Sequence, residues 1–158
     1  MPKLSAGLLP FRRSAGELEV FLVHPGGPFW AHKDAGAWSV AKGEYEPNDD
    51  PLATAQREFT EEVGIPAPTG EVEPLGEIKQ PSGKRITVFA VEADFEVDEV
   101  SSNTFTLEWP RGSGQQQEFP EVDAARWMTL ADARRALIAG QHGFLDRLEA
   151  AADGVGSD

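Results

Sequence analysis

The sequence predicts a single α/β domain. Three observations carry this expectation: stretches with strand character alternate with helical ones, the chain is 158 residues long, and neither a linker nor an internal repeat divides it. A chain of that size buries a substantial core. Residues 5–11 read as a strand, 12–16 as a turn, and 17–24 as a second strand rich in Val, Phe and Leu. Residues 25–36 form a Gly/Pro loop that also carries Phe29, Trp30 and His32. A short strand at 37–41 leads to a helix: Asp50 suits the N-cap, Pro51 the first helical position, and Gly64 a left-handed stop. Residues 71–80 and 85–93 pair around the turn Pro81-Ser82-Gly83-Lys84. Within 95–109 the best strand is Thr104-Phe105-Thr106-Leu107, and 110–117 is a polar loop. A short strand at 125–128 precedes two helical stretches, 130–138 and 143–151, separated at Gly140. The domain is expected to span 1–152, with a disordered tail at 153–158.

Composition narrows the partners. The formal net charge is −13, which repels nucleic-acid backbones and anionic membranes. A small anionic substrate would need local cations to reverse that field. With no cysteine, disulfides and thiolate metal sites are excluded, which fits a cytoplasmic chain. The first residues lack a signal-peptide core, and no apolar run reaches membrane-spanning length.

Residues 43–65 carry the chemistry. At about 100° per residue, Leu52, Ala55, Phe59 and Val63 make one apolar stripe on the expected helix. Glu58, Glu61 and Glu62 share an arc beside it, and three carboxylates so close repel one another. A hard cation relieves that repulsion. Mg²⁺, or Mn²⁺ in its place, takes oxygen ligands, bridges to phosphates and activates a water for attack on phosphorus. A plain solvated acidic face is the competing reading. An EF-hand is not, because Asp49-Asp50 lacks the alternating ligands and central Gly of that loop.

The same stretch resembles the Nudix box, G-x5-E-x7-R-E-U-x-E-E-x-G-U with U a bulky aliphatic residue. Gly43, Arg57, Glu58, Glu61, Glu62, Gly64 and Ile65 fall in register, while Asp49 replaces the first Glu and Phe59 replaces an aliphatic residue. The resemblance implies a mixed β-sheet sandwiched between helices, with the box as loop–helix–loop. It implies a divalent-metal hydrolase acting on a nucleoside diphosphate derivative. The Gly43 carbonyl joins the three Glu as a metal ligand on the same grounds. Ala6–Arg13 and Gln141–Leu148 resemble hydrolases that cleave dinucleoside polyphosphates asymmetrically, and Glu121 before Arg126-Trp127 resembles their further acid, a metal ligand or general base. The Pro25–Trp30 loop and Phe119–Asp123 resemble a bacterial branch predicted to hydrolyse nucleoside triphosphates. The tyrosine common downstream of the box in dinucleoside polyphosphate hydrolases is missing; Tyr45 lies inside the box. The spacing from Ile65 to Pro81 is similar to one in ADP-ribose hydrolases, although a turn explains Pro81 as well.

The expected catalytic residues are therefore Glu61, Glu121 and Arg57, with Arg57 holding Asp49 or Glu61 through a forked hydrogen-bond pair. The expected metal ligands are Glu58, Glu61, Glu62 and Gly43. Lys42, Lys79 and Lys84 are candidate phosphate contacts, and Trp30, with Phe29, either stacks on a base or pins its loop. His24, His32 and His142 read as surface or capping residues, and Trp109 and Trp127 as core. The expected activity is a Mg²⁺-dependent pyrophosphohydrolase cleaving a nucleoside polyphosphate, acting as monomer or homodimer. The alternatives are an ADP-ribose or nucleotide-sugar pyrophosphatase, and a catalytically inactive ligand-binding module.

Overall fold

The computed structural model describes residues 3–156. Strands β1 (Leu4–Ser14) and β2 (Glu17–Pro25) form a hairpin whose two-residue turn, Ala15-Gly16, has φ of 52° and 83°. Positive φ at both turn residues matches the twist of an antiparallel pair. β1 is therefore longer than expected, and Arg12 and Arg13 belong to the strand rather than to a turn. β3 (Ala41–Tyr45) pairs antiparallel with the first half of β1. Along the other edge of β1 runs β5 (Arg85–Glu92), parallel to it and antiparallel to β4 (Val72–Lys79). β8 (Val122–Thr129) pairs with β2. The result is one mixed six-stranded sheet, ordered β4-β5-β1-β2-β8 with β3 beside β1. β6 (Thr104–Glu108) and β7 (Gln116–Pro120) form a separate two-stranded arm.

Helix α1 (Pro51–Val63) covers one face of the sheet; α2 (Leu130–Ala136) and α3 (His142–Gly156) cover the other. Alternation along β1 divides the core, with Ala6 and Leu8 toward α1 and Leu9 toward α2 and α3. Phe59 is fully buried and lies 6.0 Å from the rings of Phe21 and Phe95, so an aromatic cluster fills the place of an aliphatic residue. Burying such a side chain contributes about 1.5–3 kcal/mol.

Three expectations shift. Residues 37–41 do not form a continuous strand: Trp38 and Ser39 make only isolated bridges, because the Trp38 backbone bonds Ala136 and Ile138 at the end of α2 instead of a sheet neighbour. The strand starts at Ala41 and carries Gly43 within it. β7 occupies part of the expected polar loop, since pairing with β6 overrides the weak strand preference of Gln and Glu. α3 continues to Gly156, so the segment after Asp153 is helical as far as it is described. Among the described residues, no helix is long and apolar enough to cross a membrane.

Candidate functional site

α1 is capped as its sequence dictates. Asp50 accepts a hydrogen bond from the Ala53 N–H at 3.3 Å, and Pro51 opens the helix. Gly64 ends it at φ 91°, donating its N–H to the Thr60 carbonyl. A side chain at Gly64 would also lie 2.7 Å from the Ser101 carbonyl oxygen, so both conformation and space require glycine. Between these caps Glu58, Glu61 and Glu62 fall beside the buried stripe.

Gly43 faces α1 so closely that a Cβ there would sit 2.1 Å from the Glu58 carboxyl carbon. The backbone at Gly43 thus lies against that carboxylate. The Lys42 N–H donates to Glu62 Oε2 at 3.3 Å. Burial, then the charge of Glu61, holds Glu58 above its ordinary carboxylate range, while Arg57 pulls it back. Burial pushes Glu62 up to about 8, against the pull of Lys42 and with added repulsion from Glu58 and Glu121. Among the described residues no three acids or histidines converge closely enough to hold a metal as they stand. Glu61 turns to Arg57 and Glu62 to the Lys42 N–H. The donor set is nonetheless all hard oxygen, and the two raised carboxylates fit a divalent cation of the Mg²⁺ class.

Glu121 joins this cluster from outside the helix. It follows β7 directly, is exposed, and its charge bears on both Glu58 and Glu62. A backbone chain places it: the Asn103 N–H donates to the Glu61 carbonyl at 3.0 Å, and the Glu121 N–H donates to the Asn103 carbonyl at 2.8 Å. The Gly26 N–H in turn donates to the Glu121 carbonyl at 2.9 Å.

Other expected site residues divide. Arg57 stands 3.5 Å from Glu58 and 3.9 Å from Glu61, through single contacts. The forked pair is not formed, and Asp49 is not its partner: the Asp49 carboxylate accepts the Glu46 N–H at 3.1 Å and closes a turn. Register sends Lys42 to the sheet face opposite Gly43, where burial, then the charge of Lys84, lowers its proton affinity. Lys79 is exposed and forms no side-chain hydrogen bond or ion pair among the described residues. Trp30 is half-buried, with Lys33 Nζ 5.2 Å above its ring. Phe29 is 48% exposed and meets Trp109 edge-on at 5.5 Å. Trp109 therefore belongs to the arm and not to the core, because it follows β6, which pairs away from the main sheet. Trp127 does flank the core, 5.3 Å from Phe21. Pro81 lies exposed in its tight turn.

Two residues escaped the sequence reading. His24 is buried, with Nδ1 2.8 Å from Asp123 and Nε2 2.6 Å from the Lys33 carbonyl, so it ties the Gly/Pro loop to β8 instead of facing solvent. Its place in a strand, at the inward phase of the alternation, was the signal. Gln141 is buried and bonds both the Val40 N–H at 3.0 Å and Ser39 Oγ, fixing the approach to β3. No local pattern marks it. A cleft of about 510 Å³ opens beside β8, but Asp98 and Glu99 line it and the acids of α1 do not, so it is a poor place for phosphate.

A capped helix offering carboxylates to a strand-borne glycine, on a mixed sheet with helices on both faces, is the α+β arrangement that the sequence leads one to expect. The family model described as the NUDIX domain matches residues 1–148, and the chain belongs to that family, as a hydrolase acting on pyrophosphate bonds. The fold is shared with the NUDIX domain of Shewanella oneidensis NrtR complexed with ADP ribose (TM-score 0.67, 15% identity, covering 96% of this chain and 89% of that one). It is also shared with a C. elegans Ap4A hydrolase (TM-score 0.62, 20% identity, 96% and 98% covered) and with the MutT protein from Methanosarcina mazei Go1 (TM-score 0.58, 18% identity, 96% and 96%). A search of curated protein sequences found no match.

Proposed function

We propose that the protein hydrolyses a phosphoanhydride bond in a nucleoside polyphosphate, mono- or dinucleoside, with Mg²⁺ as cofactor. The observation that carries this reading is the gathering of carboxylates on α1: burial and neighbouring acids raise both Glu58 and Glu62 above their ordinary values, and the charge of Glu121 bears on each of them. Such an arrangement is costly unless a cation occupies it. Glu58, Glu62 and the Gly43 carbonyl would hold the ion, with Glu61 turning in from Arg57. When bound, Mg²⁺ supplies charge neutralisation of the diphosphate and acidifies a water. Glu121 is exposed and anchored through its backbone, which leaves its carboxylate free and would let it take a proton from the attacking water. Arg57 steadies Glu58 from the solvent side. Trp30 and Phe29 offer the base a flat surface on the Gly/Pro loop. The ADP ribose bound to one structural neighbour and the Ap4A named for another support a nucleotide-containing substrate.

The test is a panel assay with Mg²⁺: dinucleoside polyphosphates, canonical and oxidised triphosphates, ADP-ribose and nucleotide sugars, followed by ¹⁸O-labelled water to locate the attacked phosphorus. Turnover of a nucleoside polyphosphate is expected. Cleavage of ADP-ribose with none of the polyphosphates refutes the substrate assignment.

A further inference from the structure

Glu121 stands where two sheets meet. β7 of the arm ends at Pro120, and β8 of the main sheet begins at Val122. The rigid peptide planes on either side of Glu121 are both tied down. Before it, the Glu121 N–H donates to the Asn103 carbonyl at 2.8 Å. After it, the Glu121 carbonyl accepts the Gly26 N–H at 2.9 Å, and the Val122 N–H of the same plane donates to Ser102 Oγ at 3.1 Å. Gly26 comes that near because it has no side chain: a Cβ there would lie 2.1 Å from the Pro120 carbonyl oxygen.

Of these partners only Ser102 uses its side chain. Its hydroxyl has one proton to give, with the Asn103 carbonyl 2.8 Å away and the Val122 carbonyl 3.1 Å away. Donation to Asn103 closes a ring of hydrogen bonds around Glu121, because that carbonyl already accepts the Glu121 N–H. A carbonyl oxygen has two lone pairs and serves both donors. β8 is an edge strand, and Ser102 gives its first N–H a partner. The neighbours of Ser102 reach α1: the Ser101 N–H donates to the Val63 carbonyl at 3.1 Å and the Asn103 N–H to the Glu61 carbonyl at 3.0 Å. Ser102 is thus held by the helix that carries the carboxylates, while its hydroxyl holds the backbone of Glu121. The Glu121 side chain is exposed, so packing does not aim it and the main chain does.

We propose that Ser102 is a positioning residue: its hydroxyl fixes the Glu121–Val122 peptide plane relative to α1, and so sets the direction in which the Glu121 side chain leaves the main chain. For its effect on rate, the inference rests on the reading of Glu121 as the group that takes the proton of the attacking water. Without the hydroxyl the Val122 N–H loses its partner, and the plane is free to turn about the Cα–C bond of Glu121. Misplacing a reacting group by about 1 Å costs up to about 10²-fold in rate. Threonine at this position keeps the hydroxyl.

Ser102→Ala and Ser102→Thr, each alone and combined with Glu121→Gln, test this in the full chain with Mg²⁺ and the nucleoside polyphosphate that the panel turns over. Ser102→Ala is expected to lower kcat about tenfold or more with KM nearly unchanged, and Ser102→Thr to keep the wild-type rate. In the Glu121→Gln background Ser102→Ala should lower kcat no further, because two residues acting through one group are not additive. Equal losses in both backgrounds, or wild-type kcat for Ser102→Ala beside a slow Glu121→Gln, overturn the proposal. Amide hydrogen exchange, read without substrate, separates the hold from the role of Glu121. The Val122 N–H should exchange about tenfold faster in Ser102→Ala and at the wild-type rate in Ser102→Thr, while the amides of α1 keep their protection. Unchanged exchange at Val122 in Ser102→Ala, or protection lost throughout α1 as well, overturns the proposal. Faster exchange confined to Val122, with wild-type turnover by Glu121→Gln or no turnover of any compound in the panel, keeps the hold and refutes only the reading on which it rests.

Discussion

Glu62→Gln isolates the cost of the carboxylate cluster, because Gln keeps the size and acceptor of the protonated acid. Glu62 titrates at about 8 in the fold against an ordinary value of 4.5. Between those values the folded protein holds a proton that the unfolded chain has released. Metal-free stability is therefore complete below 4.5 and falls as pH rises through 8. Each pH unit corresponds to about 1.4 kcal/mol, so the interval amounts to about 5 kcal/mol. Solvent reaching the half-buried group reduces the expected loss to about 2–3 kcal/mol. Urea unfolding in EDTA at pH 5 to 9 measures it. Wild type and Glu62→Gln should coincide near pH 5 and diverge as pH rises, with the variant the more stable at pH 9. Mg²⁺ at 100 times its Kd should return about 2.7 kcal/mol to wild type at pH 8 and markedly less to the variant. Parallel pH profiles, or equal stabilisation by Mg²⁺, would refute both the burial argument and the metal assignment.

The remaining expectations concern neighbours of that acid. Glu121→Gln should lower kcat about 10²–10⁴-fold at neutral pH with KM nearly unchanged; wild-type turnover moves the base to Glu61. Gly43→Ala forces the Glu58 carboxylate aside and should weaken Mg²⁺ affinity, read by calorimetry, while circular dichroism stays that of wild type. Arg57→Ala should cost less than about 1 kcal/mol in thermal unfolding, since its ion pairs are exposed and long, yet lower kcat by releasing Glu58. Gly64→Ala meets both positive φ and Ser101 and should destabilise by more than about 1 kcal/mol, measured by urea unfolding.

Much of this molecule was legible because its signals are local. Asp50, Pro51 and Gly64 announce the ends of α1, and the spacing of Glu58, Glu61 and Glu62 sets their common arc. Gly43 was legible as a motif position, but its reason, contact with Glu58, needed the register of β3 on β1. The face of Lys42 needed the same register: it is adjacent to Gly43 in sequence but on the opposite face of the strand. β7 was hidden because its Gln and Glu become a strand only through pairing with β6. His24 and Gln141 were missed because their partners, Asp123 and Val40, are distant in the chain.

The link through Asn103 has a consequence for how this site tolerates change. It uses only the main-chain N–H and C=O, so almost any side chain except proline at position 103 preserves it. What it does not tolerate is a change in length. One residue added or removed between Ser101 and Asn103 shifts the phase of the bonds to Val63, Glu61 and Glu121 together. The spacing between the acid on the helix and the acid on the arm is thus stored as a residue count, and an engineer retuning this enzyme would adjust that loop by insertion or deletion.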